Sequence, residues 1–301
     1  MSSDRALLLA LTHPWLLARA LLSLGAVLTL LAAGAMARRG GRELGGLLRT
    51  AIGAAAFAQA ASLLLGAFAA QRLVGAVPGA MCAAGVLDAS PWGPRATLAA
   101  VGATLALAVA DGAASVDARL RHARVHGALL AGGALALVAC AADLAAGLRF
   151  AASLNLDDAV PCCASVAAPT RSFGAPSRAM TLLAATLSVV AARPRIAAPF
   201  AWAILVAAWT IATREAARVL VAGSGHPCLA CGLGRAPWGP LLAASGALGA
   251  FALAQGVVPL GMLRAAPGEV SATAADALRR AIRTASLWVA VTAVLSRVAL
   301  R

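Results

Sequence analysis

Apolar residues run along this chain in blocks long enough to cross a bilayer, about 20 residues each, and the segments between them hold most of the charge. The blocks fall at 17–37, 51–70, 97–116, 127–148, 177–192, 197–217, 240–262 and 284–300. They predict about eight transmembrane helices, the fifth of them short. Ala, Gly and Leu dominate inside the blocks, and small residues let helices approach closely in lipid. The expected fold is an all-α, polytopic membrane helical bundle, a single transmembrane domain over residues 1–301. Residues 1–37 also read as a signal sequence, because Ala35-Met36-Ala37 resembles a small-residue cleavage site. Against that, the segment is long, Arg19 interrupts it, and the cut would fall directly before Arg38-Arg39.

The connections alternate in character. One set is basic: Arg38, Arg39, Arg42 and Arg49, then Arg119, Arg121 and Arg124, then Arg193 and Arg195, then Arg264, Arg279, Arg280 and Arg283. The positive-inside rule assigns these to the cytoplasmic face. The other set carries Cys82, Cys162, Cys163, Cys228 and Cys231, which then face the periplasm or exterior. For a bacterial chain this predicts a multi-pass protein of the inner (cytoplasmic) membrane with its cysteine loops periplasmic.

The cysteine loops repeat one another. Cys82 precedes Pro91-Trp92-Gly93-Pro94 by the interval that separates Cys228 from Pro237-Trp238-Gly239-Pro240, and Ala84/Ala230 and Leu87/Leu233 match as well. A degraded third copy follows Cys163, with Phe173-Gly174 at the corresponding offset. Three similar helical hairpins whose cysteine turns share one face follow from this. Taken alone, the tetrapeptide is a helix-starting turn with an interfacial Trp.

Composition agrees with a membrane chain: 61% hydrophobic and 12% charged residues, with mean hydropathy +0.87. The net charge of +14 comes from 25 basic residues, all Arg, against 11 acidic ones. In a soluble domain that excess would point to nucleic acid. Here it lies between apolar runs without basic-aromatic interleaving, so membrane lipid is the expected partner and nucleic acid is not.

Most of the candidate chemistry lies in residues 223–240. Cys228 and Cys231 stand in Cys-x-x-Cys spacing, with His226 and Pro227 before them and Arg235 after. The spacing lets two sulfurs meet in a small ring, and a nearby cation favours the thiolate. The same residues are also soft metal donors: His226, Cys228 and Cys231 with Cys162 or Cys163 would suit Cu or Zn. A third reading has the cysteines only stapling loops by disulfides. A bond between the adjacent Cys162 and Cys163 is strained, so each is better placed to bond elsewhere, for instance one with Cys82. Gly85 stands where the last copy has Cys231, so the dithiol belongs to that copy alone. The loops together would form a composite site, with Cys162, Cys163 and Cys82 exchanging with partner thiols and Cys228–Cys231 reoxidised behind them.

Pro227-Cys228-x-x-Cys231-x-x-x-Arg235, followed by an Ala/Gly/Leu helix, resembles the signature of the DsbB-like membrane thiol oxidoreductases. The vitamin K epoxide reductase family is similar in placing Cys-x-x-Cys at the exoplasmic end of a helix. The resemblance implies a quinone-linked thiol–disulfide oxidoreductase: Cys228 and Cys231 as the redox pair, Arg235 and Trp238 beside the quinone, and a periplasmic thioredoxin-like protein as partner. It covers about 25 of the 301 residues. The family has four helices with its motif after the first, whereas the motif here follows the sixth.

Other polar residues stand out less. Cys140 and Asp143 lie one turn apart in the fourth block, and an acidic residue inside a span is a functional-site candidate. Arg214, Glu215 and Arg218 sit near the outer end of the sixth, where a Glu215 pairing and headgroup anchoring is the simple account. Asp157 and Asp158 read as a solvated loop face, and His122 and His126 as a solvated pair. Phosphate-binding glycine loops, Ser-His-Asp sets and His-Glu-x-x-His segments are absent from the sequence. Mid-membrane runs broken by Pro, apart from Pro259, are absent too, which disfavours a transporter.

Overall fold

The computed structural model describes residues 14–40, 45–80, 82–120, 123–154, 175–224, 238–265 and 268–299. Among them every regular element is helical: α1 (Pro14–Gly40), α2 (Gly45–Arg72), a 3₁₀ turn (Leu73–Gly75), α3 (Ala83–Asp88), α4 (Gly93–Leu120), α5 (Ala123–Ala152), α6 (Arg178–Ala191), α7 (Ala198–Ser224), α8 (Gly239–Gln255), α9 (Val257–Ala265) and α10 (Glu269–Val298). Six stretches are long and apolar enough to cross a membrane: Leu16–Ala37, Gly46–Gly75, Gly93–Asp117, His126–Ala152, Gly239–Leu263 and Val270–Val298. Of the remaining two blocks, α6 has 14 residues, about 21 Å at 1.5 Å per residue. The other is α7, whose C-terminal half carries Arg214, Glu215 and Arg218.

Most helices run a turn or two beyond their blocks, so Arg38, Arg39, Arg49, Arg119 and Arg124 lie on helix ends and not in connections, and two further differences matter more. The seventh block divides into α8 and α9 at Gly256, because Pro259 has no N–H to donate to the carbonyl of Gln255. The last helix starts at Glu269, not at 284, so Arg279, Arg280 and Arg283 lie inside it instead of in a connection. A search for charge-free runs misses this helix. Its buried residues, Ala274, Leu278, Ala281, Ile282, Ala285 and Val289, recur at helical spacing, and the Arg residues occupy the remaining positions.

The chain forms two compact units, Met1–Cys162 and Cys163–Arg301. In the first, α1, α2, α4 and α5 make a ring, with α5 closing on α1. Its interior is filled by Ala, Leu and Ile, among them Leu30, Ile52, Leu107 and Leu129. α4 and α5 touch almost backbone to backbone: a Cβ added at Gly132 would lie 3.2 Å from the Cα of Ala110. One end of the ring gathers Leu16, Leu73, Val86, Phe150 and Leu154 around α3. At the other end Arg49 faces Asp117 at 3.8 Å.

The first copy of the repeated turn has a steric origin. A Cβ at Gly93 would fall 1.9 Å from the carbonyl oxygen of Leu87, a distance no side chain can occupy, so glycine is obligatory. Ser90 stabilises the approach by accepting from the Trp92 N–H at 3.1 Å while sharing a 2.6 Å bond with Ser153.

In the second unit α6 packs on α7 and α10, α7 on α8 and α10, and α8 and α9 on α10. Its core joins Leu205, Ala208 and Ala212 to Leu278, Ile282, Ala285 and Val289. Two Trp side chains of α7 lean on glycines of the α8–α9 strip. Trp209 Nε1 donates to the Gly246 carbonyl at 2.9 Å, and Trp202 Nε1 to that of Leu253 at 3.3 Å. A Cβ at Gly249 would lie 3.0 Å from Trp209, and one at Gly256 2.8 Å from Trp202. Trp209→Phe keeps most of the packing and removes one N–H donor. Thermal unfolding in detergent should register a loss of about 1 kcal/mol, while Gly249→Ala, which crowds the ring, should cost more.

A single interval separates Gly93 from Gly239, where α4 and α8 begin, and Ala123 from Glu269 and Ala152 from Val298, where α5 and α10 begin and end. The same interval separates Cys82 from Cys228. The third copy of the cysteine loop, after Cys163, lies in residues 155–174, outside the described residues.

Candidate functional site

Among the described residues the densest polar cluster lies inside the first unit, where α1, α2 and α5 meet. Asp143 of α5 is 1% exposed. Its Oδ1 accepts from Arg19 Nη2 at 3.0 Å, and its Oδ2 from Ser23 Oγ at 3.1 Å and Gln59 Nε2 at 2.7 Å. Three donors, one of them a guanidinium, satisfy both oxygens of the buried carboxylate. Ser62 of α2 completes the cluster, 2.8 Å from Ser23 Oγ and 3.4 Å from the Arg19 carbonyl.

Glycines make room for the cation. A Cβ at Gly66 would meet the Arg19 side chain at 3.0–3.2 Å, and one at Gly147 would lie 3.7 Å from the guanidinium carbon. Arg19 therefore crosses between α2 and α5 where neither helix has a side chain. A cleft of about 30 Å³ reaches Arg19, Ser23 and Asp143 from between α1 and α5. Gln59 Oε1 is buried without a hydrogen-bond partner. Its amide nitrogen is fixed toward Asp143, since a flip would set two acceptors face to face.

Of these residues the sequence reading singled out Asp143 and Cys140 and noted Arg19 as a break in its block. It passed over Ser23, Gln59, Ser62, Gly66 and Gly147. The available signal was that Arg19, Gln59 and Asp143 are strongly polar residues in three separate apolar runs. Cys140, one turn from Asp143, is fully buried and free, and packs in the apolar core.

Cys82 is also a free thiol, 4% exposed, at the N-cap of α3 with extended backbone. At the same turn the Trp92 ring is approached by two guanidiniums, with Arg95 4.9 Å and Arg149 4.6 Å from its centroid. Arg72 lies 5.0 Å over Phe68. This end of the unit thus combines aromatic and cationic groups, as membrane interfaces do.

In the second unit Glu215 is 1% exposed and pairs with Arg218, as the simple account of that charged patch has it. Its other oxygen accepts from the Ser177 N–H at 2.7 Å. Ser177 is the N-cap of α6, so the carboxylate lies at the positive end of that helix. Trp238 is 39% exposed at the turn before α8, its carbonyl accepting from Leu242 N–H at 3.0 Å.

The other residues singled out by chemistry, Cys162, Cys163, His226, Cys228, Cys231, Arg235, Asp157, Asp158 and His122, lie outside the described residues. Among the described residues no three His, Cys, Asp or Glu side chains group as a metal site.

Six apolar spans and a buried, internally paired charge define a multi-pass helical membrane protein. No family model, curated protein or solved structure matches this chain.

Proposed function

We propose that the protein is a quinone-linked thiol–disulfide oxidoreductase of the bacterial inner membrane, with Cys228 and Cys231 as its redox pair. The observation that carries the reading is the position of this pair in the chain. The Cys-x-x-Cys lies directly ahead of Trp238-Gly239, where the membrane-spanning stretch Gly239–Leu263 begins, and so within reach of both an aqueous partner and a bilayer-dissolved oxidant. In this reading α6 and α7 complete eight crossings, and the loops bearing Cys82, Cys162–Cys163 and Cys228–Cys231 face the periplasm.

The reaction balances in two steps. A partner dithiol, presented by a thioredoxin-like protein, reduces the Cys228–Cys231 disulfide and leaves as a disulfide. The new dithiol then passes two electrons and two protons to a quinone, giving hydroquinone and restoring the disulfide. Arg235 and Trp238 flank the quinone, and Cys162 and Cys163 are the thiols placed to meet the partner first. Cys82, being buried, is a poor first contact.

Alkylation of free thiols in intact membranes tests this. Cys228 and Cys231 should be blocked after reduction, protected in oxidised membranes, and left reduced when a quinone analogue stops reoxidation. Each single Cys→Ser variant should abolish the cycle. A pair that stays oxidised throughout is a structural staple and sinks the proposal. One equivalent of Cu or Zn in the purified protein, lost in His226→Ala and Cys228→Ser, would replace it with a metal site.

A further inference from the structure

The cleft over Arg19 has no part in thiol exchange, and its chemistry fits a different ligand. Leu16, Leu17, Leu144 and Leu148 line it together with Arg19 and Asp143. Leu17 and Leu148 are 44% and 45% exposed, so the mouth opens on the apolar outer surface of the unit. A guanidinium has five N–H donors, and Asp143 engages it through Nη2. On the cleft side Nη2 and the guanidinium carbon lie beside Gly147, which presents no side chain to cover them, and Nη2 carries a second N–H beyond the one given to Asp143.

Depth and size narrow the choice. Gly147 stands five residues and Asp143 nine residues before the end of His126–Ala152, about 8 Å and 14 Å at 1.5 Å per residue, so the cleft runs inward from the headgroup end of that span toward Arg19. A space of about 30 Å³ admits one or two oxygen-sized groups, since one water needs roughly 10–15 Å³. The Asp143 carboxylate next to the guanidinium disfavours a free anion at the floor. Three exposed cations, Arg72, Arg95 and Arg149, lie on helix ends that meet at the same end of the unit.

The geometry points to a glycerophospholipid site. A lipid acceptor oxygen, from the ester carbonyl or the phosphoryl group, takes a hydrogen bond from Arg19 at the floor of the cleft. The acyl chain lies along Leu17 and Leu148, and an anionic headgroup is favoured by the cations at that end. The buried pair with Asp143 holds the guanidinium in place, so the site is formed before lipid arrives.

Native mass spectrometry of the full chain in a detergent without ester groups provides the test, with phosphatidylglycerol, phosphatidylcholine, inorganic phosphate and a short-chain quinone as separate probes. One phosphatidylglycerol per chain should bind, more tightly than phosphatidylcholine, with no binding of phosphate or quinone at matched concentration. Gly147→Leu places a side chain over the guanidinium and should weaken lipid binding at least tenfold. The paired replacement Arg19→Leu with Asp143→Leu removes the donor and its counter-charge together, and should do the same without unfolding the chain. Equal lipid retention in wild type and both variants overturns the site, as does binding of quinone or inorganic phosphate in place of lipid. Neither outcome bears on the cycling of Cys228–Cys231.

Discussion

Asp143→Leu should destabilise the protein by about 3–5 kcal/mol, the cost of leaving one partner of a buried ion pair uncompensated. The loss is charged to Arg19, which stays between Gly66 and Gly147 with its main acceptor gone. Ser23 and Gln59 lose theirs as well. Adding Arg19→Leu to Asp143→Leu should recover most of the stability, because a buried pair replaced by apolar residues of similar size is often neutral or better. Unfolding in mixed detergent micelles reads both variants. If the single and double variants unfold alike, Arg19 reaches lipid or water unaided and the pair is no more than a convenience. Asp143→Asn should fall between, since it keeps the shape and one acceptor but gives up the charge.

Gly93→Ala should be comparably severe, for a purely steric reason. With the Leu87 carbonyl oxygen 1.9 Å from the added carbon, either the turn between α3 and α4 opens or α3 leaves its seat. Overpacking of this kind typically costs about 1–3 kcal/mol, occasionally more, and here the obstacle is backbone, which cannot swing aside. Gly53→Ala and Gly102→Ala meet nothing within 4 Å and serve as controls. Both should be neutral or stabilising by up to about 1 kcal/mol. The readout is the yield and melting temperature of the purified protein. A Gly93→Ala chain that melts like wild type would show that the turn has another conformation of similar energy.

The membrane character and most helix positions were legible because a bilayer imposes one strong rule, unbroken apolar length, which the blocks ending near Ala37, Arg72 and Ala152 obey. α10 was legible only in its second half. Its first half alternates Arg with buried Ala and Leu, which a run-length criterion reads as a loop and a helical-period criterion reads as one face of a helix. The Pro-Trp-Gly-Pro repeat was plain in the sequence, but the reason for its glycine was not, since the Leu87 carbonyl approaches through a backbone path that no residue pattern encodes. The buried cluster was legible in pieces. Arg19, Gln59 and Asp143 each break an apolar run, yet only tertiary structure brings α1, α2 and α5 together around them.

That cluster also constrains how the protein can be made. Arg19 precedes its counter-charge by 124 residues, so at about 5–20 residues per second the first helix exists for roughly 6–25 s before Asp143 is synthesised. An arginine in a lone helix resists full burial in hydrocarbon by about 2.5–3.5 kcal/mol at the centre and less near the ends. The apolar residues of Leu16–Ala37 outweigh that cost, so the first helix can enter the bilayer alone, but its Arg19 must be served by water or headgroups until the helix bearing Asp143 emerges.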